Sequence, residues 1–261
     1  MSELKHNVYF LNQQRGKSDY PLFIFVPGLN ETEKRLMFRQ TSSLKTSFDV
    51  CCLVIPPENF DNWELLVKSV LALIEAELAK TPRRLVYLCG ESFGGCLALK
   101  MLLQAPNWFD KIILVNSASS FHRVLWLNLG SLLLPLISDC IYYNSAFFSL
   151  LFLASIDKIS DRACQDLANT IKFSSKKITD KRIGMMRDFT LDEITLQKVK
   201  QPILLIGSRE DLILPSVEEI NRLAKIFPQA TLVTLPHSGH ACLVEEDINL
   251  YQIMKANNFI V

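Results

Sequence analysis

The chain is 261 residues long, 49% hydrophobic and 21% charged, with 28 basic and 27 acidic residues and a formal net charge of +1. That length suits one larger domain, or a core with an inserted subdomain. The balanced charge excludes the basic footprint of a nucleic-acid binder, because the pairs Lys176-Lys177 and Lys181-Arg182 are too short to make one. The first ten residues hold no apolar run long enough for a secretory leader. The seven cysteines are odd in number and form no CxxC pair, so the expectation is reduced thiols in a cytoplasm.

Pro21 to Pro27 reads PLFIFVP and closes on Pro27-Gly28. Phe48 to Ile55 is a second apolar run, closed by Pro56-Pro57. In Asp61 to Lys80 the residues Trp63, Leu66, Val67, Val70, Leu71, Ile74 and Leu78 recur with helical spacing. Asp61 with Glu64 resembles a capping box there. Leu85 to Cys89 is a third strand, and Phe93 to Gln104 is apolar nearly all round, which predicts a buried helix. Ile112 to Val115 is a fourth strand, Ile203 to Ile206 a fifth and Ala230 to Leu235 a sixth. Helices are predicted over Pro215 to Phe227 and Glu246 to Asn257. Near-continuous apolar strands alternating with helices predict an α/β fold with a mostly parallel, doubly wound sheet.

The alternation breaks between Ser117 and Gln201. From Val124 to Ile156 the only formally charged residue is Asp139. Gly130, Pro135, Ser138-Asp139 and Asn144-Ser145 cut this run into pieces shorter than a bilayer span. The reading is therefore a single domain over 1–261 with an apolar helical cap inserted at about 118–199. Part of the surface of that cap is suited to touching a bilayer.

Gly90-Glu91-Ser92-Phe93-Gly94 fits G-x-S-x-G. Five positions with three fixed recur by chance, but here the motif follows a strand and opens a buried helix, as a nucleophile elbow requires. Gly90 and Gly94 let chain segments pass close to a strained serine. A serine hydroxyl needs a base. The chain has four histidines. His6 sits near the terminus, and His122 at the cap entrance is read as a surface residue. His240, beside Gly239 and after the last strand, is preferred over His237. Asp211, after the fifth strand, would orient that base, with Glu210 as its neighbouring alternative. The order Ser, Asp, His belongs to α/β-hydrolases. An oxyanion hole needs two donors. The Phe93 N–H is one. The other is expected from Pro27-Gly28-Leu29-Asn30, with Leu29 preferred and Asn30 as the alternative. This chemistry calls for neither cofactor nor metal.

At these motifs the chain resembles a branch of the α/β-hydrolase superfamily, the hydrolase half of the plastid and cyanobacterial phytyl ester synthases, also called esterase/lipase/thioesterase proteins. The likeness is carried by VYLCGESFGGCLAL (Val86 to Leu99), LPSVEEINRL (Leu214 to Leu223), and Ser-Gly-His followed by LVEEDINLYQI (Ser238 to Ile253). It covers about 21 to 116 and 201 to 256; the cap matches loosely. The plant proteins carry an acyltransferase half downstream, which this sequence does not include. Their oxyanion segment resembles PGLDG, where this chain has Glu31 in place of the glycine. The resemblance implies Ser92, Asp211 and His240 as triad. It also implies hydrolysis of lipophilic esters or thioesters, or acyl transfer to phytol or diacylglycerol. Peripheral contact with a thylakoid-type membrane is compatible with it. The alternative is a lipid-binding or interaction protein with little turnover.

Overall fold

The computed structural model describes residues 8–11, 19–29, 33–56, 62–81, 84–143, 158–161, 164–165, 169 and 175–260. In chain order the elements are β1 (Tyr9–Leu11), β2 (Leu22–Val26), α1 (Glu33–Leu44), β3 (Asp49–Val54), α2 (Trp63–Leu78), β4 (Val86–Glu91), α3 (Phe93–Gln104) and β5 (Lys111–Val115). A 3₁₀ turn (Ala118–Arg123), α4 (Leu125–Leu133), a second 3₁₀ turn (Leu134–Leu136), α5 (Lys176–Arg187) and α6 (Glu193–Leu196) lie between β5 and the next strand. The chain then forms β6 (Ile203–Ser208), α7 (Ser216–Ile226), β7 (Ala230–Leu235) and α8 (Leu250–Ala256).

Seven strands make one sheet in the order β1-β3-β2-β4-β5-β6-β7. All neighbours are parallel except β1, which pairs antiparallel with β3. This is the mostly parallel, doubly wound α/β sheet that the alternating pattern predicts. Side chains alternate between faces, as strand geometry demands. Leu22, Ile24, Leu88, Ile112 and Leu205 join the core under α2, α3 and α7. Phe23, Phe25, Tyr87, Ile113 and Leu204 face the other way, toward the residues of α8. Both faces are covered, so β2, β3, β4 and β6 are buried throughout. β7 is different. It is an edge strand with Thr231 and Leu232 exposed, and its apolar run does not mean burial on two faces.

Several boundaries move from the sequence reading for local reasons. Asn62 caps α2, its side chain accepting from the Leu65 N–H; Asp61 lies outside the described residues. The final helix starts at Leu250 rather than at Glu246, because Asn249 caps it by accepting from the Gln252 N–H. β1 is too short to stand out by periodicity, and α1 was not anticipated. Gln40 of α1 is buried and ties the C-terminal segment to that helix. It donates to the carbonyls of Leu243 and Ile248 at 2.7 and 2.8 Å and accepts from the Leu250 N–H at 2.8 Å.

Five of the seven cysteines are buried as free thiols. Burial pushes Cys52 up to about 12 and holds Cys89, Cys96 and Cys242 far above an ordinary thiol. They act as small hydrophobes rather than nucleophiles.

The insertion between β5 and β6 carries an exposed apolar face along α4, whose inner side holds the buried Leu127 beside half-buried polar residues. Leu125, Trp126, Leu129, Leu132, Leu133 and, just beyond, Leu136 are exposed, Leu136 to 80%. Asn128 and Ser131 are half-buried, with Asn128 donating to the His122 carbonyl and Ser131 to the Asn128 carbonyl. The aromatic and aliphatic residues of 144–156 that the sequence reading also assigned to the cap lie outside the described residues. No described helix is long and apolar enough to cross a membrane.

Candidate active site

The register sets the site. Val26 of β2 lies opposite Gly90 of β4, Glu91 opposite Val115 of β5, and Ser208 of β6 opposite Leu235 of β7. The loops after these strands therefore leave the sheet at one edge. β2 connects to β3 on one side and β4 lies on its other side, so this edge includes a topological switch point, where α/β sheets open a crevice.

Ser92 stands between β4 and α3 with φ 53° and ψ −116°, a backbone conformation that L residues rarely adopt. The surroundings hold it there. Its N–H donates to the Val115 carbonyl at 3.0 Å, and its carbonyl accepts from the N–H groups of Gly95 and Ala118. The flanking glycines are required by contact. A Cβ on Gly94 would come within 2.1 Å of the Val26 carbonyl oxygen and 2.5 Å of that of Pro27. A Cβ on Gly90 would come within 2.4 Å of the Gly94 oxygen. The same closeness sets the loop after β2 directly against the start of α3. Phe93 is the first residue of that helix, so its N–H has no acceptor within the helix. Leu29 is half-buried and packs against the core cluster that contains Phe93; Asn30 and Glu31 lie outside the described residues.

The structure brings the three sequence-predicted residues into one chain of hydrogen bonds. His240 Nε2 is 3.0 Å from Ser92 Oγ, and His240 Nδ1 is 2.8 Å from Asp211 Oδ2. Ser92 and His240 are buried, and the side chain of Asp211 is 1% exposed. Asp211 Oδ1 accepts from the N–H groups of Ile213 and Leu214, both at 2.9 Å. Oδ2 is left to His240 and to the Ser216 hydroxyl. Burial pushes the Asp211 carboxyl upward, but the His240 charge, its hydrogen bond, and those from Ser216 and the Leu214 N–H outweigh it. The net pKa lies below the ordinary carboxylate value. Asp211 is thus held as an anion that fixes which His240 nitrogen faces the serine.

The two rivals from the sequence reading pair with each other instead. His237 Nδ1 lies 3.3 Å from Glu210 Oε1, with both side chains at least half exposed. His122 is half-buried, not a plain surface residue. Burial and the charges of Arg123 and Arg222 lower its pKa.

Three residues that the sequence reading passed over brace the cluster of Ser92, His240 and Asp211. Asn116, buried and at φ 43°, donates to the His240 carbonyl at 2.6 Å and to Ser208 Oγ at 2.9 Å, and accepts from the Ser208 N–H at 2.8 Å. Glu245 is fully buried and accepts from the Gly239 N–H at 2.8 Å. Ser216 donates to Asp211. The signal for Asn116 was present: a polar residue ends an apolar strand at the same edge as Ser92. Among the described residues no group of three or more His, Cys, Asp or Glu is disposed to hold a metal ion.

The strand order, the strained serine and the Asp-His-Ser chain of hydrogen bonds place the protein in the α/β-hydrolase class. Within that class, the model for the Hydrolase_4 family, described as serine aminopeptidase, S33, matches residues 57–247, and the chain belongs to that family. It is similar to phytyl ester synthase 1, chloroplastic, of Arabidopsis thaliana, at 26% identity over 264 residues, covering 92% of this chain and 37% of that protein. Phytyl ester synthase 2, chloroplastic, of the same plant is 26% identical over 275 residues, covering 92% and 38%. The chain thus spans less than two fifths of the length of these two relatives. An esterase from Exiguobacterium antarcticum superposes with a TM-score of 0.77 at 16% identity, covering 96% of this chain and 94% of that one. That likeness bears on the fold.

Proposed function

We propose that the protein is a serine hydrolase or acyltransferase that carries an acyl group from a lipophilic ester or thioester on Ser92. The observation that carries this reading is the linkage of Ser92 Oγ, His240 and Asp211 at 3.0 and 2.8 Å, with the serine held in a conformation that only a built turn imposes.

In this mechanism Ser92 Oγ attacks the acyl carbonyl as its proton passes to His240 Nε2. The N–H groups of Leu29 and Phe93 stabilise the oxyanion of the tetrahedral intermediate. Losing one such donor costs roughly 3 kcal/mol, on the order of a hundredfold in rate. The bond from the acyl carbon to the leaving alcohol or thiol then breaks, and His240 returns its proton to the leaving group. Water or an alcohol next gives its proton to His240 and attacks the acyl-enzyme, releasing acid or ester and restoring Ser92. No metal or cofactor enters these steps.

The described residues between 118 and 199 belong to a cap over the site in this reading. The exposed apolar face of α4 rests against a membrane surface, from which a lipophilic substrate enters. The names of the two plant relatives favour phytol as an acceptor, with diacylglycerol as the alternative acceptor.

The test is incubation of the protein, and of Ser92→Ala, with a mixed thylakoid-type lipid extract with and without added phytol, followed by mass analysis. Free fatty acid alone means hydrolysis, and a phytyl ester formed only with phytol means transfer. Equal product from Ser92→Ala and wild type contradicts the proposal.

A further inference from the structure

Arg182, on α5 of the insertion, is only 6% exposed. Burying a guanidinium is costly unless its donors are engaged. One terminal nitrogen donates to the carbonyl of Leu29, and the other to that of Ile55, at the end of β3, at 2.8 Å. The guanidinium carbon also lies 5.8 Å from the centre of the Phe93 ring. A single side chain therefore touches both residues whose N–H groups are assigned to the oxyanion, and ties them to a third strand end.

The rest of α5 is fixed to the same place. Trp63 Nε1 donates to the Met185 carbonyl at 2.7 Å. The Trp63 ring stacks on Phe93 at 4.8 Å and meets Phe189, just past α5, edge-on at 5.3 Å. Cap, helix start and the loop after β2 are thus one packed unit. The loop needs such a hold. It leaves β2 through Pro27-Gly28, and glycine alone does not specify one backbone conformation. Oxyanion donors are effective only when aimed before the charge develops.

We propose that Arg182 is a positioning residue of the oxyanion hole, holding the Leu29 carbonyl so that the backbone of Leu29 is set against the start of α3 and the Leu29 and Phe93 N–H groups converge. This rests on the reading of Ser92, Leu29 and Phe93 given above. A residue that merely anchors the insertion would affect stability and substrate binding. A positioning residue affects kcat and the affinity for a tetrahedral adduct.

The experiment compares the full-length wild type, Arg182→Met and Arg182→Lys on a soluble p-nitrophenyl ester. It records kcat, KM, inhibition by a trifluoromethyl ketone that forms a tetrahedral adduct on serine, and the thermal midpoint. In folded Arg182→Met, kcat falls about tenfold to a hundredfold while KM stays within about threefold, and the ketone weakens by the same factor as kcat. Arg182→Lys, able to reach one carbonyl, falls between. An unchanged kcat in a folded variant, or a reduced kcat with undiminished ketone affinity, overturns the proposal. If Arg182→Met does not fold, Arg182→Lys is judged by the same criteria. A wild type with neither turnover nor ketone binding refutes the underlying reading of the site, and the role of Arg182 with it; an active wild type matched by Arg182→Met refutes only that role.

Discussion

Asn116 donates through its amide to the backbone carbonyl of His240 at 2.6 Å, from the end of one strand to the loop beyond another. The same side chain accepts from the Ser208 N–H, so it levels β5, β6 and the histidine loop. Asn116→Ala leaves these buried groups without their partner, at about 1–3 kcal/mol each. The expected outcome is a thermal midpoint lower by several degrees and a kcat/KM on soluble esters reduced at least about tenfold. Retention of both values would remove Asn116 from the account.

Asp211→Asn removes the anion that fixes the His240 tautomer, and a loss of roughly 10⁴-fold in kcat is expected. The pH dependence has a definite sign. The folded carboxyl titrates below its ordinary value of 3.8, so the folded state binds fewer protons there than the unfolded one. Its stabilisation is full above the unfolded pKa and is lost as pH falls through the lowered folded value. Thermal midpoints of wild type and Asp211→Asn should therefore differ by a constant amount near neutrality and converge below 3.8. A gap that stays constant through that range contradicts the assignment.

Gly94→Ala places a methyl group 2.1 Å from the Val26 carbonyl oxygen, where only backbone can yield. Overpacking of this kind costs about 1–3 kcal/mol. Because the displaced segment carries Leu29, activity should fall further than the loss of stability explains. Enzyme assays on protein shown by circular dichroism to be folded would test this; a folded Gly94→Ala with wild-type kcat would contradict the packing argument.

Replacing Leu132 and Leu136 together by Glu removes two exposed leucines from the outward face of α4 and of the 3₁₀ turn that follows it. If that face rests on a membrane, each lost leucine weakens partitioning by about 1.5 kcal/mol or more, over tenfold each. Sedimentation with anionic lipid vesicles should show the loss while hydrolysis of a soluble ester is unchanged. Equal sedimentation of wild type and variant would dismiss this surface.

The fold and the three candidate residues were legible because each rests on local signals: apolar runs ended by Pro or Gly, and a motif in a strand–turn–helix setting. Gly90 and Gly94 are readable because one backbone geometry demands them. What Asn116 and Arg182 touch was not, because those contacts join residues 124 and 153 positions apart, to His240 and Leu29; Asn116 showed only as a polar residue ending an apolar strand. Arg182 in particular reads in sequence as part of a solvated basic pair. Only the packed fold shows it buried against carbonyls.

The account depends most on Ser92 being an activated nucleophile, and intact-protein mass spectrometry after brief exposure to a fluorophosphonate probe tests that directly. Wild type should gain a single adduct, located by digestion on the peptide containing Ser92, and Ser92→Ala should gain none. A wild type that stays unlabelled, or a Ser92→Ala variant labelled to the same extent, would contradict it.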